Sequence, residues 1–298
     1  MLESPAMNLP PTAPGSSELS LGQCATLACI LEATAPKAGN VHRSADFEDL
    51  AFLDFLASAV AIAPAIDAAP GVEIGRTVYE AMTATRRLVT TNTNLGIVLL
   101  FAPLAAVPQD EPLTTSSVRN VLSRLTADDC RLVYEAIRLA QPGGLGTVED
   151  MDVAEAPPSE LLAAMRAAAD RDLVARQYAE DFRLVLDEAL PHIEAGRSRG
   201  WSLTEAIIHA HLSLLAHYED SLIARKCGRE TAQKVSLLAS KVLAAGASGD
   251  ESYYDALADL DFWLRADGHR RNPGATADLI AAALFAGLRD RRLTPPYH

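Results

Sequence analysis

Four segments of the chain gather polar or charged side chains and turn-forming residues where a helical protein needs nothing special. The first, Pro36-Lys37-Ala38-Gly39-Asn40-Val41-His42-Arg43, brings a Lys, a His and an Arg together around a glycine. Such a loop suits phosphate oxygens, and it reads equally as a helix C-cap whose cations face the dipole. The second, Thr90-Thr91-Asn92-Thr93-Asn94-Leu95-Gly96, places hydroxyls, amides and backbone N–H groups just before an apolar run. That arrangement offers an anion or base-edge site at a helix start, although simple capping needs only one of these residues.

The third segment, Tyr218-Glu219-Asp220-Ser221-Leu222-Ile223-Ala224-Arg225-Lys226-Cys227-Gly228, sets two carboxylates beside a hydroxyl and two cations one turn later. A carboxylate there can bind magnesium or act as a base, with Arg225 and Lys226 on phosphates; a surface salt-bridge cluster has the same spacing. The fourth, Asp267-Gly268-His269-Arg270-Arg271-Asn272-Pro273-Gly274-Ala275-Thr276-Ala277-Asp278, delivers basic residues to another helix start, with Asp278 about one turn inside. Its plainer reading is a loop and a capped final helix.

The elements that must position these segments read as helices throughout. Val174, Tyr178, Phe182, Val185 and Ala189 recur in steps of three and four, one apolar stripe on one face. Strand signals are poor, because alternating β-branched runs are absent and aromatics make up only 5% of the chain. Ser202 with Glu205 forms a capping box, Thr114 or Thr115 can cap the next stretch, and Asn272-Pro273 predicts a cap followed by proline at the first helical position. Breaks fall at Pro70-Gly71, Pro108 to Pro112, Gln141 to Gly146, Ala156 to Ser159 and Ala247 to Asp250. The expectation is an all-α, single-domain multi-helix bundle of roughly ten helices at ordinary helix lengths. Residues 1–15, with Pro10, Pro11 and Pro14, read as a disordered tail before a domain spanning 16–298.

Composition narrows the function classes. With 26 basic against 39 acidic residues the net charge is -13, which opposes broad contact with nucleic acid. Small anionic substrates then need a locally basic cleft, with Arg86-Arg87 and Arg270-Arg271 as further basic pairs. The most apolar run, Gly96 to Val107, carries Pro103 and falls short of the roughly 20 residues that span a bilayer, so no membrane partner is expected. No secretory signal is visible and the four cysteines form no C-x-x-C pair, which reads as a cytoplasmic protein with reduced thiols.

Three lesser signals have plain structural readings. Gly143, Gly144 and Gly146 make a turn before Glu149, Asp150 and Asp152, without the strand or G-K-[ST] of a P-loop. Asp172 and Arg176 stand at i,i+4 and read as a helical ion pair. His209, His211 and His217 do not converge for zinc, since His211 lies about 160° around the helix from His209.

Taken together, the four polar segments resemble the signature blocks of the triphosphoribosyl-dephospho-CoA synthase family, in the same order, from about Leu21 to Leu288. The family's T-P-K-P-G-L-V-D-R block resembles Thr34 through Arg43, and its N-T-H-K-G block resembles Asn92-Thr93-Asn94-Leu95-Gly96. Its G-D-T-N-V-A-S-R block corresponds to Glu219 through Lys226, and its S-P-G-G-S-A-D-L block to Asn272 through Leu279. The chain departs from the pattern at Asn94-Leu95, where the family has His-Lys, at His42, where it has Asp, and at Leu222, where it has Asn. These substitutions are similar to a divergent branch found in organisms that make tetrahydromethanopterin-type C1 carriers.

The resemblance implies an all-helical, ATP-dependent transferase that moves the 5-triphosphoribosyl group of ATP to an acceptor hydroxyl and releases adenine. The acceptor it implies is dephospho-CoA or a pterin-cofactor precursor. Ribosyl or phosphoryl transfer in pterin-cofactor synthesis, and a non-catalytic nucleotide-binding protein, remain as alternatives, and a homodimer is left open. On this basis Lys37, Arg225 and Lys226 are assigned to phosphates, and Asp220 and Asp278 to Mg2+ or proton abstraction. Asn92, Thr93 and Asn94 are assigned to base or ribose, and His42 to acid catalysis or the acceptor. Asn40, Arg43, Ser221, Arg271, Asn272 and Gly274 complete the expected substrate-binding set.

Overall fold

The helices begin where side chains can satisfy their first N–H groups. In the computed structural model, which describes residues 19–141 and 158–297, Ser20, Thr114, Thr126 and Ser202 each cap a helix. Each is answered by the residue three positions on. Among the described residues there are fourteen α-helices, more than the ten expected. They are α1 (Leu21–Thr34), α2 (Phe52–Ala68), α3 (Ile74–Leu88), α4 (Leu95–Ala106), α5 (Thr115–Leu122), α6 (Ala127–Ala140) and α7 (Leu161–Ala168). The chain continues through α8 (Leu173–Ala179), α9 (Leu190–Ser198), α10 (Leu203–His217), α11 (Ser221–Cys227), α12 (Arg229–Ala245), α13 (Glu251–Arg265) and α14 (Gly274–Arg289). One short extended segment, β1 (Ala266–His269), precedes α14. The N-terminal tail and the Gly143 to Asp152 turn lie outside the described residues.

Two helices form the centre. Residues 279–288 of α14 are all buried, and α4 buries 10 of its 12 residues, so both are apolar all round, as helices enclosed by neighbours must be. Phe101 and Phe285 stack at 4.6 Å where the two meet. The apolar run around Pro103 is therefore a core helix, and no described helix is long and apolar enough to cross a membrane. Around this pair, helices α1, α2, α3, α8, α10 and α11 pack into one contiguous core. All four cysteines are free thiols.

Two local expectations need correction. The stripe from Val174 to Ala189 is fully buried, but it is not one helix. The backbone breaks at Asp181 and Phe182, both at positive φ, and resumes as a π-helical segment at Leu184–Ala189. The gap is bridged by Gln177, whose Oε1 accepts from the Val185 N–H and whose carbonyl accepts from the Phe182 N–H. Likewise Asp172 does not pair with Arg176. It caps α8 and binds Arg225 at 2.6 Å, while Arg176 pairs with Glu180.

Candidate active site

A cavity of about 840 Å3 opens beside the start of α14. The loops after α1 and α3 and the end of α11 supply its polar wall, and α6, α7 and α8 supply an apolar wall through residues such as Tyr134, Ile137, Leu161, Met165 and Val174. Of the residues singled out in the sequence, Asn40, Asn92, Thr93, Asn94, Arg225, Lys226, Asn272, Gly274 and Asp278 line it. Lys37, His42, Arg43, Asp220, Ser221 and Arg271 do not.

Much of the polar wall is spent on building itself. Gly39 adopts φ 75°, and its N–H donates to Asp261 at 2.7 Å; a Cβ there would stand 2.9 Å from Leu264. This turn delivers Asn40, whose Nδ2 donates to Asn272 Oδ1 at 2.7 Å. After α3, Asn92 accepts from the Leu95 N–H, Thr93 Oγ1 lies 2.5 Å from Ser58 Oγ, and Asn94 donates to Thr85 at 3.1 Å. What remains is a set of oxygens with no partner in the cavity wall: Asn40 Oδ1, Thr91 Oγ1 and Asn94 Oδ1. These oxygens are closed off from the open space of the cavity, and buried groups left unpaired are costly.

The two predicted carboxylates have opposite surroundings. Asp220 is 0% exposed. Its Oδ1 accepts from the Leu222 and Ile223 N–H groups, capping its own helix, and its Oδ2 accepts from the Thr276 N–H and hydroxyl, both at 2.8 Å. That carboxylate thus caps α14 as well, which explains why α14 starts at Gly274 and Asn272 serves Asn40 instead of capping. Burial raises the Asp220 carboxyl above its ordinary value against the pull of these hydrogen bonds.

Asp278, by contrast, makes no hydrogen bond or ion pair among the described residues, and its exposure is to the cavity, deep below the molecular surface. Burial first, then the like charges of Glu32, Asp220 and Asp172, hold its carboxyl well above the usual carboxylate range, partly offset by Arg225. The carboxylate lies against Gly96 of α4, where a Cβ would stand 2.0 Å from Asp278 Oδ2. Only glycine leaves it room.

Cations complete the wall unevenly. Arg225 is anchored by Asp172. Lys226 makes no side-chain hydrogen bond or ion pair among the described residues, and burial lowers its pKa. Arg171 and Arg86 also line the cavity, and His269 pairs with Asp49 at its edge at 2.9 Å.

Several predicted site residues belong elsewhere. Lys37 is fully buried behind the wall, where its ammonium binds Glu32 Oε1 at 2.9 Å, the Glu32 carbonyl and the Ala35 carbonyl. Arg271 stacks on Trp263 at 4.3 Å and donates to its carbonyl. Ser221 accepts from the Leu173 N–H at 3.1 Å. Arg43 is exposed, and His42, its pKa lowered mainly by burial, lines a separate shallow cleft of about 260 Å3. Three charged wall residues escaped the sequence reading: Asp49, Arg171, and Glu32, which sits unmarked within α1.

The model of the ATP:dephospho-CoA triphosphoribosyl transferase family (CitG) matches residues 18–295. The chain belongs to this family. A 2-(5''-triphosphoribosyl)-3'-dephosphocoenzyme-A synthase of Klebsiella pneumoniae is 34% identical over 97 residues, 33% of this chain and 34% of that one. A protein of Azotobacter vinelandii assigned the same activity is 29% identical over 167 residues, 56% of each chain. The matches thus span between a third and somewhat over half of these relatives' length. A crystal structure of an Archaeoglobus fulgidus protein assigned as a triphosphoribosyl-dephospho-CoA synthase superposes with a TM-score of 0.59 at 26% identity, covering 79% of this chain and 98% of that one.

For this family member the expected magnesium pair of Asp220 and Asp278 does not fit. Asp220 already accepts four hydrogen bonds, and no group of three or more metal-ligating side chains exists among the described residues. Magnesium is commonly held by one or two carboxylates together with substrate phosphates. An ion arriving on a nucleotide triphosphate needs no protein cage.

Proposed function

We propose that this chain transfers the 5-triphosphoribosyl group of ATP to a hydroxyl of a small-molecule acceptor, dephospho-CoA by the family's name, and releases adenine. The observation that carries this reading is Asp278: a bare carboxylate of raised pKa in a cavity that also presents Arg225, Lys226 and Arg171. In the reaction the bond from the anomeric carbon to adenine breaks and a bond to the acceptor oxygen forms. The hydroxyl proton passes to Asp278, the departing adenine takes up one proton from solvent, and Asp278 returns its own to solvent as the site resets, so atoms and charges balance over the turnover. A carboxyl raised above its normal range is a stronger base than an ordinary one and suits this task near neutral pH.

The cations hold the triphosphate, which stays on the ribosyl group throughout. Magnesium, entering as part of the nucleotide, supplies neutralisation of the phosphate charge. The polar wall of Asn40, Thr91, Asn92 and Asn94 receives the ribose and the base. The apolar wall of α6, α7 and α8 receives the uncharged part of the acceptor and keeps water from the anomeric carbon. The test is incubation of purified protein with ATP and magnesium, with and without dephospho-CoA or a pterin-cofactor precursor, followed by mass analysis. Free adenine that depends on the acceptor supports the proposal; adenine retained in every product overturns it.

A further inference from the structure

Glu32 is a charged residue of the cavity wall that no sequence signal marked. It is 5% exposed and stands in the last turn of α1, among apolar neighbours. Lys37, five residues on and wholly buried, spends its ammonium on the Glu32 carboxylate and on two backbone carbonyls of the same turn. A lysine so enclosed cannot reach a phosphate. What it does is pair with a carboxylate and fix its position at the cavity surface, at a depth where a lone charge is costly.

We propose that Glu32 is the second carboxylate of the reacting centre, held by Lys37 so as to face the positive charge that develops on the ribosyl group while Asp278 takes the acceptor's proton. The division of labour follows from surroundings. One carboxylate is fixed by a buried cation, and the other has no hydrogen-bonding partner and a raised proton affinity. Two acids with environments pushed apart are the usual basis for separate roles in glycosyl transfer, where the transition state resembles an oxocarbenium ion. A fixed negative charge in a water-poor cavity stabilises that cation without reorganising.

The groups that bear on Asp278 are Glu32 and Cys29 from α1, Asp172 ahead of α8, and Asp220 and Arg225 at the two ends of α11. Glu32 is the strongest of the like charges among them. Removing its charge therefore lowers the proton affinity of Asp278 as well as the stabilisation of the ribosyl cation.

This inference rests on the proposed ribosyl transfer, and its test separates the two. Glu32→Gln keeps the shape of the side chain and its contact with Lys37. Expected are a fall in kcat of about 10²-fold or more, an ATP Kd within about threefold of wild type, and an acid limb of the kcat/KM profile moved down by about one pH unit. A cationic pyrrolidine mimic of ribose should bind wild type and lose most of its affinity in the variant. A carboxyl titration by 13C NMR should show the same downward movement for Asp278 whether or not turnover is seen.

Unchanged kcat and an unmoved Asp278 titration in a folded Glu32→Gln protein overturn the inference. So does a loss of activity explained entirely by a lower folded fraction. Wild-type protein that releases no adenine removes the ribosyl transfer reading and the cation-facing role of Glu32. The NMR shift alone would then show whether the two carboxylates are electrically coupled.

Discussion

Asp220 and Asp278 both stand near the start of a helix in segments that match family blocks, yet their surroundings are opposite. Around Asp220 four donors from two helices have closed on the carboxylate, so its energy is invested in joining α11 to α14. Around Asp278 no side chain among the described residues donates to the carboxylate, and Gly96 leaves it space. Residue type is the same in both places, but Asp220 is wholly enclosed and Asp278 opens to the cavity. What separates a structural carboxylate from a reactive one is whether its lone pairs are filled.

The comparison can be broken at either end. Asp278→Asn should lower acceptor-dependent adenine release by about 10³-fold, while the melting temperature at neutral pH holds or rises. A comparable loss of stability with normal activity per folded molecule would show that the two aspartates are alike after all. Asp220→Ala should do the reverse: it strands buried N–H donors at two helix starts and costs about 3 kcal/mol. Urea denaturation reads that loss, and the refolded fraction should retain most of its affinity for ATP.

Gly96→Ala sharpens the contrast, because the added methyl must displace Asp278 or α4. Adenine release should drop by about 10²-fold, the scale of a misplacement of about 1 Å at a reacting group. Melting should change far less than in Asp220→Ala.

A smaller effect lies in pH dependence. A carboxyl whose folded pKa is raised favours the folded state fully only below its unfolded pKa, and that contribution is lost as pH climbs through the folded value. Wild type and Asp278→Asn should therefore melt alike in acid, with the variant gaining on wild type as pH rises towards neutral. Parallel melting curves at all pH values would mean that the surroundings of Asp278 do not raise its proton affinity. The least effect is expected at Glu205, whose carboxyl is held down to about 2 by hydrogen bonds from Ser202, Ser248 and Tyr254 at the start of α10. Glu205→Gln should lose up to about 1 kcal/mol near neutral pH, and the difference should disappear below pH 2 as the wild-type carboxyl protonates.

Features set by near neighbours were legible in the sequence. The capping box of Ser202 and Glu205, the break at Gly71 and the burial of the Val174 to Ala189 stripe all follow from a few adjacent residues. The break in that stripe was not, because it depends on Gln177 satisfying backbone groups on both sides of it. The start of α14 was misread for a related reason: Asn272 is claimed by Asn40, 232 residues away, and Thr276 is capped by Asp220, 56 residues away. Lys37 was visible as a cation, but its partner was not. Glu32 looks like any polar residue near a helix end until the fold shows that it faces inward. Site membership at Asn92, Thr93 and Asn94 could be read because a run of polar residues exceeds what capping needs.

Because one carboxylate ties α11 to α14, the anchored Arg225, the neighbouring Lys226 and Asp278 ride on a single braced unit. The apolar wall of α6, α7 and α8 contributes no part of that brace except through Asp172 and the Leu173 N–H. On the proposed reaction, such a division would let the acceptor change through substitutions at Tyr134, Ile137, Leu161 or Met165, with the residues assigned to the nucleotide left in place.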